Sequence, residues 1–488
     1  MRERIYTRIE IEEILDSVIG KTLGEADVND VFSRTLGKPK ITGIAGIVIE
    51  ESVLAYGTDN LQKPDIIVDG KDVEVKTTGI RRNNKTDKFE AKEPMSITTV
   101  SPKKIVHEEF FDSNFWHKLE RLLLVFYHYD SEVTVPSWGY ANFPIKGYDF
   151  ISPEPDETEK LKNDWEIIRD FIRSVQLEFK ENPESQYHRI STDLKSKLML
   201  IDTAPKYPNP PRFRLKRATV NKIVQEALGK TYGELPEDYN SFEEFDQKLK
   251  ELSNEYRNMT VRELLDTLNI NYKLNSKGDV TKAIGEQIIT KMFDSDKSKM
   301  SNIDLFAEVG IIGKTIVITS TGGRTEDTKF FNIDFAEIKD ENLAFVNSQF
   351  YEYFSQNQFL FIVFEERNMS GKLLNNRFLG FKRLSFSEEF IENEVKRTWD
   401  EIRYLVNENK LEDVVVRYKD GRPKINKTGV VSCAPNFPKS TDHPVFVRGT
   451  SSDSTHKPFQ LNGIDMYYQQ IWIKGSALVE RLNSLNFV

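Results

Sequence analysis

The chain has 488 residues, of which 38% are hydrophobic and 30% charged, and its net charge is −9. That length suits two or three domains with real cores. The acidic balance argues against a general basic coat for nucleic acid, and no apolar run is long enough for a membrane-spanning helix. A single cysteine, Cys433, leaves no disulfide framework and no cysteine-based zinc site.

The N-terminus, MRERIYTRIEIEEILDS, is charged and lacks the apolar core of a signal peptide, so a cytoplasmic location is expected. An amphipathic helix is predicted over 8–18, followed by GKTLGE at 20–25. Gly46 opens a second helix, which carries Glu50 four residues on. The next segment, KPDIIVDGKDVEVKTTG (63–79), is the most informative in the chain. Asp65 opens an apolar strand (Ile66, Ile67, Val68), and Asp69-Gly70 is a strong hairpin signal. Strand alternation then sends Val73 and Val75 one way and Glu74 and Lys76 the other. Two carboxylates and an ammonium therefore meet on one face. Metal-assisted phosphodiester hydrolysis needs that set: hard oxygens for Mg²⁺ and a lysine to assist the water or carry developing charge.

Lys118 lies just before an apolar central strand, LLLVFYHY (122–129), within reach of a phosphate oxygen. A long helix covers NDWEIIRDFIR (163–173), APKYPNPP (204–211) reads as a loop, and RFRLKRATVNKIV (212–224) closes the first half. Local basic stretches stand out against the acidic whole. One holds Arg81, Arg82, Lys85, Lys88 and Lys92; the other, residues 193–222, includes Arg212, Arg214, Lys216 and Arg217. Such groups supply phosphate contacts.

The second half repeats the first at an offset of about 240 residues, too long a period for a solenoid. GKTLGE pairs with NMTVRE (258–263), each after an amphipathic helix (8–18 and 241–257). Gly46 pairs with Gly285, Pro64-Asp65-Ile66 with Ile303-Asp304-Leu305, and LLLVFYHY with LFIVFEER (360–367). NDWEIIRDFIR pairs with RTWDEIRYLVN (397–407), and RFRLKRATVNKIV with IWIKGSALVERL (471–482). STDHPVFVRGTSSDSTHKP (440–458) reads as a long polar loop. The boundary falls near 225–240, giving domains 1–228 and 229–488, each an α/β (α+β) sheet with helices packed on it. In the second half the chemistry is gone. Glu50 aligns with Ile289, Glu74 and Lys76 fall near Val317 and Thr319, and Lys118 falls on Gln356, while Asp65 keeps Asp304. The first domain is therefore read as catalytic and the second as a degenerate copy.

Other chemistries find no support. GKT occurs at 20–22, 229–231 and 313–315, but Leu15, Val224 and Glu308 stand where a phosphate-binding loop needs its first glycine. The six histidines show no metal-ligand spacing.

The order Gly46, Glu50; Asp65, Glu74, Lys76; Lys118; then DWE at 164–166 resembles the MutH mismatch-repair nicking enzymes. It also resembles the Sau-type type II restriction endonucleases that cut before GATC, within the PD-(D/E)xK nuclease superfamily. The resemblance implies tandem MutH-like domains, each a mixed sheet flanked by helices. It implies Mg²⁺ held by Asp65, Glu74, the Val75 carbonyl and Glu50, with Lys76 positioning or activating water and Lys118 supporting the phosphate. It further implies double-stranded DNA as substrate, a monomer that pairs on DNA, and a second half that binds another site as an effector. One departure bears on target choice. Ala204 precedes Pro205 where MutH carries a base-reading arginine, and Arg214 stands where MutH has a tyrosine. A type II restriction endonuclease is the first expectation; a nicking repair enzyme and a non-catalytic DNA-binding protein are the alternatives.

Overall fold

The computed structural model describes residues 4–38, 41–57, 63–83, 87–205, 207–324, 326–366, 371–418, 420–425, 429–451 and 456–488. The first half contributes nine strands. They are β1 (Ile5–Tyr6), β2 (Ile66–Val68), β3 (Lys71–Arg82), β4 (Phe89–Ala91), β5 (Met95–Thr99), β6 (Leu122–His128), β7 (Ile145–Ile151), β8 (Ile201–Asp202) and β9 (Arg212–Leu215). A six-stranded mixed sheet runs β1-β2-β3-β6-β7, with β4 also paired to β3. A smaller sheet, β5-β9-β8, stands beside it.

The β2–β3 hairpin forms as its sequence dictates. Asp69 (φ 49°) and Gly70 (φ 77°) both take the left-handed conformation of a tight hairpin turn. Pairing runs Ile66↔Val73, Ile67↔Asp72 and Val68↔Lys71, so β2 begins at Ile66 and Asp65 stands one residue before it. The helix carrying Glu50 begins at Ile44 rather than at Gly46, because Gly43 supplies the left-handed entry (φ 74°). It continues Ile44–Val48 into a π-helical turn, Ile49–Val53.

Burial alternates along the central strand. Leu123, Val125 and Tyr127 join an apolar cluster with Tyr6, Ile11, Val73 and Val75. Leu122, Leu124 and Phe126 join a second cluster with Trp165, Ile168 and Ile172 of the long helix Pro155–Glu178. A sheet covered on both faces accounts for the unbroken apolar run at 122–127.

The second half adds β10 (Ile311–Thr319), β11 (Thr328–Asn332), β12 (Gln358–Glu366), β13 (Arg377–Leu384), β14 (Asp413–Val415), β15 (Cys433–Pro435), β16 (Val445–Gly449), β17 (Phe459–Leu461), β18 (Ile464–Met466) and β19 (Gln469–Ile473). Its pairing echoes the first half. β3–β6 is parallel and β6–β7 antiparallel; β10–β12 is parallel and β12–β13 antiparallel. β9 lies between β5 and β8 as β19 lies between β11 and β16. Thr22 and Thr260 both cap short helices with full capping boxes, closed by Glu25 and Glu263.

Three sequence expectations need correction. Asp304 does not precede a strand as Asp65 does; it starts the helix Asp304–Val309. Strand register also moves the aligned positions. Leu122 and Leu124 pair with Glu74 and Lys76, while Leu360 and Ile362 pair with Gly313 and Thr315, not with Val317 and Thr319. Finally, the segment 440–458 is not all loop. Val445, Phe446 and Val447 are buried in β16, paired to β19.

The halves meet over a polar and apolar seam. Lys160 and Lys222, from two helices of the first half, converge on Glu308 of the second: Lys160 Nζ lies 2.8 Å from Glu308 Oε2, and Lys222 Nζ lies 3.1 Å from Asp304 Oδ1. Around them a single apolar cluster runs from Leu122, Leu124 and Phe126 to Leu360, Ile362 and Phe364 of β12.

Candidate active site and the adjoining cleft

Glu74 is 1% exposed on β3, on the opposite side from Val73 and Val75. Lys76, two residues along the same face, donates to Glu74 Oε1. Lys118, in the helix Asn114–Leu119 that leads into β6, donates to both Glu74 oxygens at 2.9 Å. Parallel pairing of β3 with β6 sets this distance, since Glu74 lies opposite Leu122, four residues beyond Lys118. Asp65 is fixed from the other side: its Oδ2 accepts the Val75 N–H at 2.9 Å, just where β2–β3 pairing stops.

Glu50 completes the group. A methyl at Gly46 would touch the Thr77 hydroxyl (3.6 Å) and the Glu50 carboxylate (3.9 Å), so a larger residue would fill the space beside Glu50. Burial pushes Glu50 up to about 7; the charges of Asp65 and Glu74 add to the rise and Lys76 opposes it. Burial likewise raises Glu74, with Lys76 and Lys118 pulling it back. Tyr56, which the sequence reading missed, lies 1% exposed in the field of Glu50 and Asp65. Its hydroxyl has no hydrogen-bond partner among the described residues, and the Arg4 guanidinium sits 5.2 Å from its ring. Its backbone N–H donates to the Glu50 carbonyl at 3.0 Å, which makes it part of the turn that carries Glu50.

The five predicted catalytic residues, Glu50, Asp65, Glu74, Lys76 and Lys118, thus come together. Among the described residues no three or more His, Cys, Asp or Glu side chains converge to hold a metal ion. Glu74 is instead engaged by ammonium groups. The donor chemistry still fits a hard divalent cation: two or three carboxylates with a strand carbonyl, leaving the remaining positions to water. Three carboxylates against two ammoniums also leave the group one positive charge short of neutral when all are ionised.

The predicted DNA contacts divide. Arg81, Arg82, Arg214 and Arg217 line a cleft of about 850 Å³ between the halves. Arg81 lies 5.1 Å from the Tyr129 ring, and its Nε is buried without a hydrogen-bond partner among the described residues. Arg82 pairs with Asp87 at 2.7 Å, Arg214 pairs with Asp202, and Arg217 donates to the Ala91 carbonyl at 2.8 Å. Arg212 is exposed on β9. Lys85 lies outside the described residues. Lys216 also lines this cleft, but it is 3% exposed and donates to the Leu198 carbonyl, and burial pulls it down to about 8. Glu337, Glu352, Glu388 and Glu392 of the second half also line this cleft, facing the cations.

Asp164, from the DWE run, accepts the backbone N–H groups of Met199, Leu200 and Ile201 at 2.7–2.9 Å. It ties the long helix to β8 and so holds the small sheet beside the cleft.

A family model described as "DNA mismatch repair enzyme MutH" matches residues 54–164, the span from Leu54 through Asp65, Glu74, Lys76 and Lys118 to Asp164. The chain is also 24% identical over 401 residues to the type II restriction enzyme Sau3AI of Staphylococcus aureus, covering 77% of this chain and 73% of that protein. The chain is thus similar to MutH in the span that holds the candidate site and to a type II restriction enzyme over most of its length. The match to Sau3AI is too long for the first half alone, so the likeness includes part of the second half. No helix among the described residues is long and apolar enough to cross a membrane.

Proposed function

We propose that this MutH/Sau3AI-like chain is a type II restriction endonuclease that makes double-strand breaks in DNA, with GATC as its target and Mg²⁺ as its cofactor. One observation carries the reading: Glu74 is buried between Lys76 and Lys118, with Asp65 and Glu50 in the same electrostatic group. Asp65, Glu74, the Val75 carbonyl and Glu50 would hold the ion. When bound, Mg²⁺ polarises the scissile phosphate and lowers the pKa of a water. Lys76, the more exposed of the two lysines at 22% against 13%, holds that water by a donated hydrogen bond. Lys118, now held by Glu74, would be the donor available to a phosphate oxygen. Arg81, Arg82, Arg214 and Arg217 position the duplex.

The second half (229–488) is proposed as a degenerate copy of the first (1–228) that binds a further site as an effector. The matched capping boxes, the echoed strand order and the Gly313 and Thr315 at the positions of Glu74 and Lys76 support this. The acidic wall it presents to the cationic cleft gives DNA binding a means of changing how the halves meet. Because each chain carries one constellation, two chains pair on DNA to cut both strands.

The test is cleavage of unmethylated supercoiled plasmid with Mg²⁺, wild type beside Glu74→Ala, with the fragment ends sequenced. Linear product with GATC ends from wild type alone is expected. Open circles without linear DNA would instead favour a nicking enzyme, the reading that the MutH match supports. Equal behaviour of both proteins would leave only DNA binding.

A further inference from the structure

The turn that carries Glu50 is held from outside. Leu54 N–H donates to the Ile49 carbonyl at 2.8 Å, the five-residue reach of a π turn. Such turns are rare and are frequent at functional sites where they do occur. An α-helical path through the same residues would rotate them against the rest of the helix by about 100°, the angle of one residue. The exit of the turn is pinned twice. The Tyr6 hydroxyl donates to the Leu54 carbonyl at 2.6 Å, and Tyr56 N–H donates to the Glu50 carbonyl at 3.0 Å. Ala55, between them, takes φ 63°, a left-handed angle that a residue with a Cβ seldom adopts.

The outer face of the turn is gripped by residues 27–34. Asp27 Oδ1 accepts the Ser52 hydroxyl at 2.6 Å, and its Oδ2 accepts the Phe32 N–H at 2.9 Å, near the start of the 3₁₀ helix Val31–Leu36. Ser52 Oγ in turn accepts the Asn29 N–H at 3.2 Å, and the Asn29 amide donates to the Glu51 carbonyl at 2.5 Å. Arg34 forks onto the Glu51 carboxylate, at 3.0 Å and 2.5 Å. Ser52 is buried, and the Glu51 side chain is only 17% exposed. Glu51 is therefore not the loose surface neighbour that two adjacent glutamates suggest. The second half offers a comparison. Its counterpart helix, Ile284–Met292, is α-helical throughout and carries Ile289 at the position aligned with Glu50. Where the carboxylate is gone, so is the π turn.

We infer that Asp27, Arg34, Glu51 and Ser52 are positioning residues for Glu50: a clasp that fixes the rotation of its turn, and so where its carboxylate points. The grip falls on the two residues that directly follow Glu50, which is where a rotation about the helix axis is best resisted. A clasp that only tied the loop to the core would have no reason to coincide with the π turn, or to vanish from the half that has lost the carboxylate. Partners that orient an ion's ligands without touching the ion are commonly worth about 10- to 100-fold in its affinity. The inference rests on the reading that Glu50 helps to hold Mg²⁺ during phosphodiester cleavage.

The experiment is a double-mutant cycle in the full-length protein. Arg34→Met and Ser52→Ala each open the clasp, and each is made in wild type and in Glu50→Gln. Should Ser52→Ala melt the fold, Arg34→Met carries the cycle, since the Arg34 side chain is 48% exposed. Two midpoints are read against Mg²⁺ concentration: that of single-turnover plasmid cleavage, and that of the rise in Tm of the DNA-free protein. The second serves where Glu50→Gln cuts too slowly. Opening the clasp is expected to raise both midpoints about tenfold, with the rate at saturating Mg²⁺ reduced less than about threefold. In Glu50→Gln the same changes are expected to move the midpoint by less than about twofold, because their effect runs through Glu50. Midpoints that stay at wild-type values, with only the Tm in EDTA lowered, would overturn the inference and leave the clasp a structural tie. Wild-type cleavage with shifts as large in Glu50→Gln as in wild type sinks the clasp alone. Wild-type protein that cuts nothing at any Mg²⁺ concentration sinks the nuclease reading, and the clasp's role with it.

Discussion

Glu74 can turn to a metal ion only if its ammonium partners accept new ones, so Lys118 is the residue whose loss is most revealing. Lys118→Ala leaves Glu74 with Lys76 and removes the donor proposed for the phosphate. Single-turnover cleavage is expected to slow about 100-fold, while the protein remains folded. Glu50 sets a pH signature. Its carboxyl is raised from the ordinary 4.5 to about 7, so in the ion-free protein the folded state holds a proton that the unfolded state has released. Its contribution to stability is therefore full below about 4.5 and is lost as pH rises through about 7. In EDTA, Glu50→Gln is expected to flatten the fall in Tm between those values relative to wild type, as thermal melts at several pH values would show. Tyr56→Phe removes a buried hydroxyl that has no hydrogen-bond partner among the described residues. It is expected to stabilise the ion-free protein by about 1 kcal/mol in denaturant unfolding. Asp65, Glu74 and Lys76 were legible in sequence because a hairpin turn and strand alternation fix which side chains share a face. Tyr56 was not legible, because its isolation depends on how Arg4 and Tyr6 fold over it. The burial of Lys216 was not legible, because a run of basic residues reveals charge but not burial.

Among the elements, the β2–β3 hairpin holds Asp65 opposite Val75, and its turn depends on Gly70 at φ 77° with open space around it. Gly70→Ala meets no clash but forces an L-residue into the left-handed region, at a cost of about 1 kcal/mol. The expected result is a lower Tm with cleavage retained at temperatures well below it. Strand and helix order were readable through 128, where periodicity and turn residues agree. β16 was missed because Pro444 and the polar tract after it frame only three apolar residues, too few to show an alternation. The start of the Glu50 helix was misplaced because Gly43, not Gly46, supplies the unusual backbone angle. The Asp304 segment was misassigned because a shared aspartate kept the alignment in register while the backbone around it became helical.

At the scale of the whole molecule, the seam couples the halves. Lys160→Ala leaves Glu308 buried with only Lys222 beside it, at 3.8 Å. It is expected to destabilise by about 3 kcal/mol, measured by urea unfolding, and the double variant Lys160→Met/Glu308→Met is expected to recover most of that loss. The same seam carries the apolar cluster that joins β6 to β12. A stop codon after residue 228 would therefore open one side of this shared cluster and leave Lys160 without Glu308. Whatever it contributes to DNA binding, the second half also serves as masonry: the first half's core is closed against it.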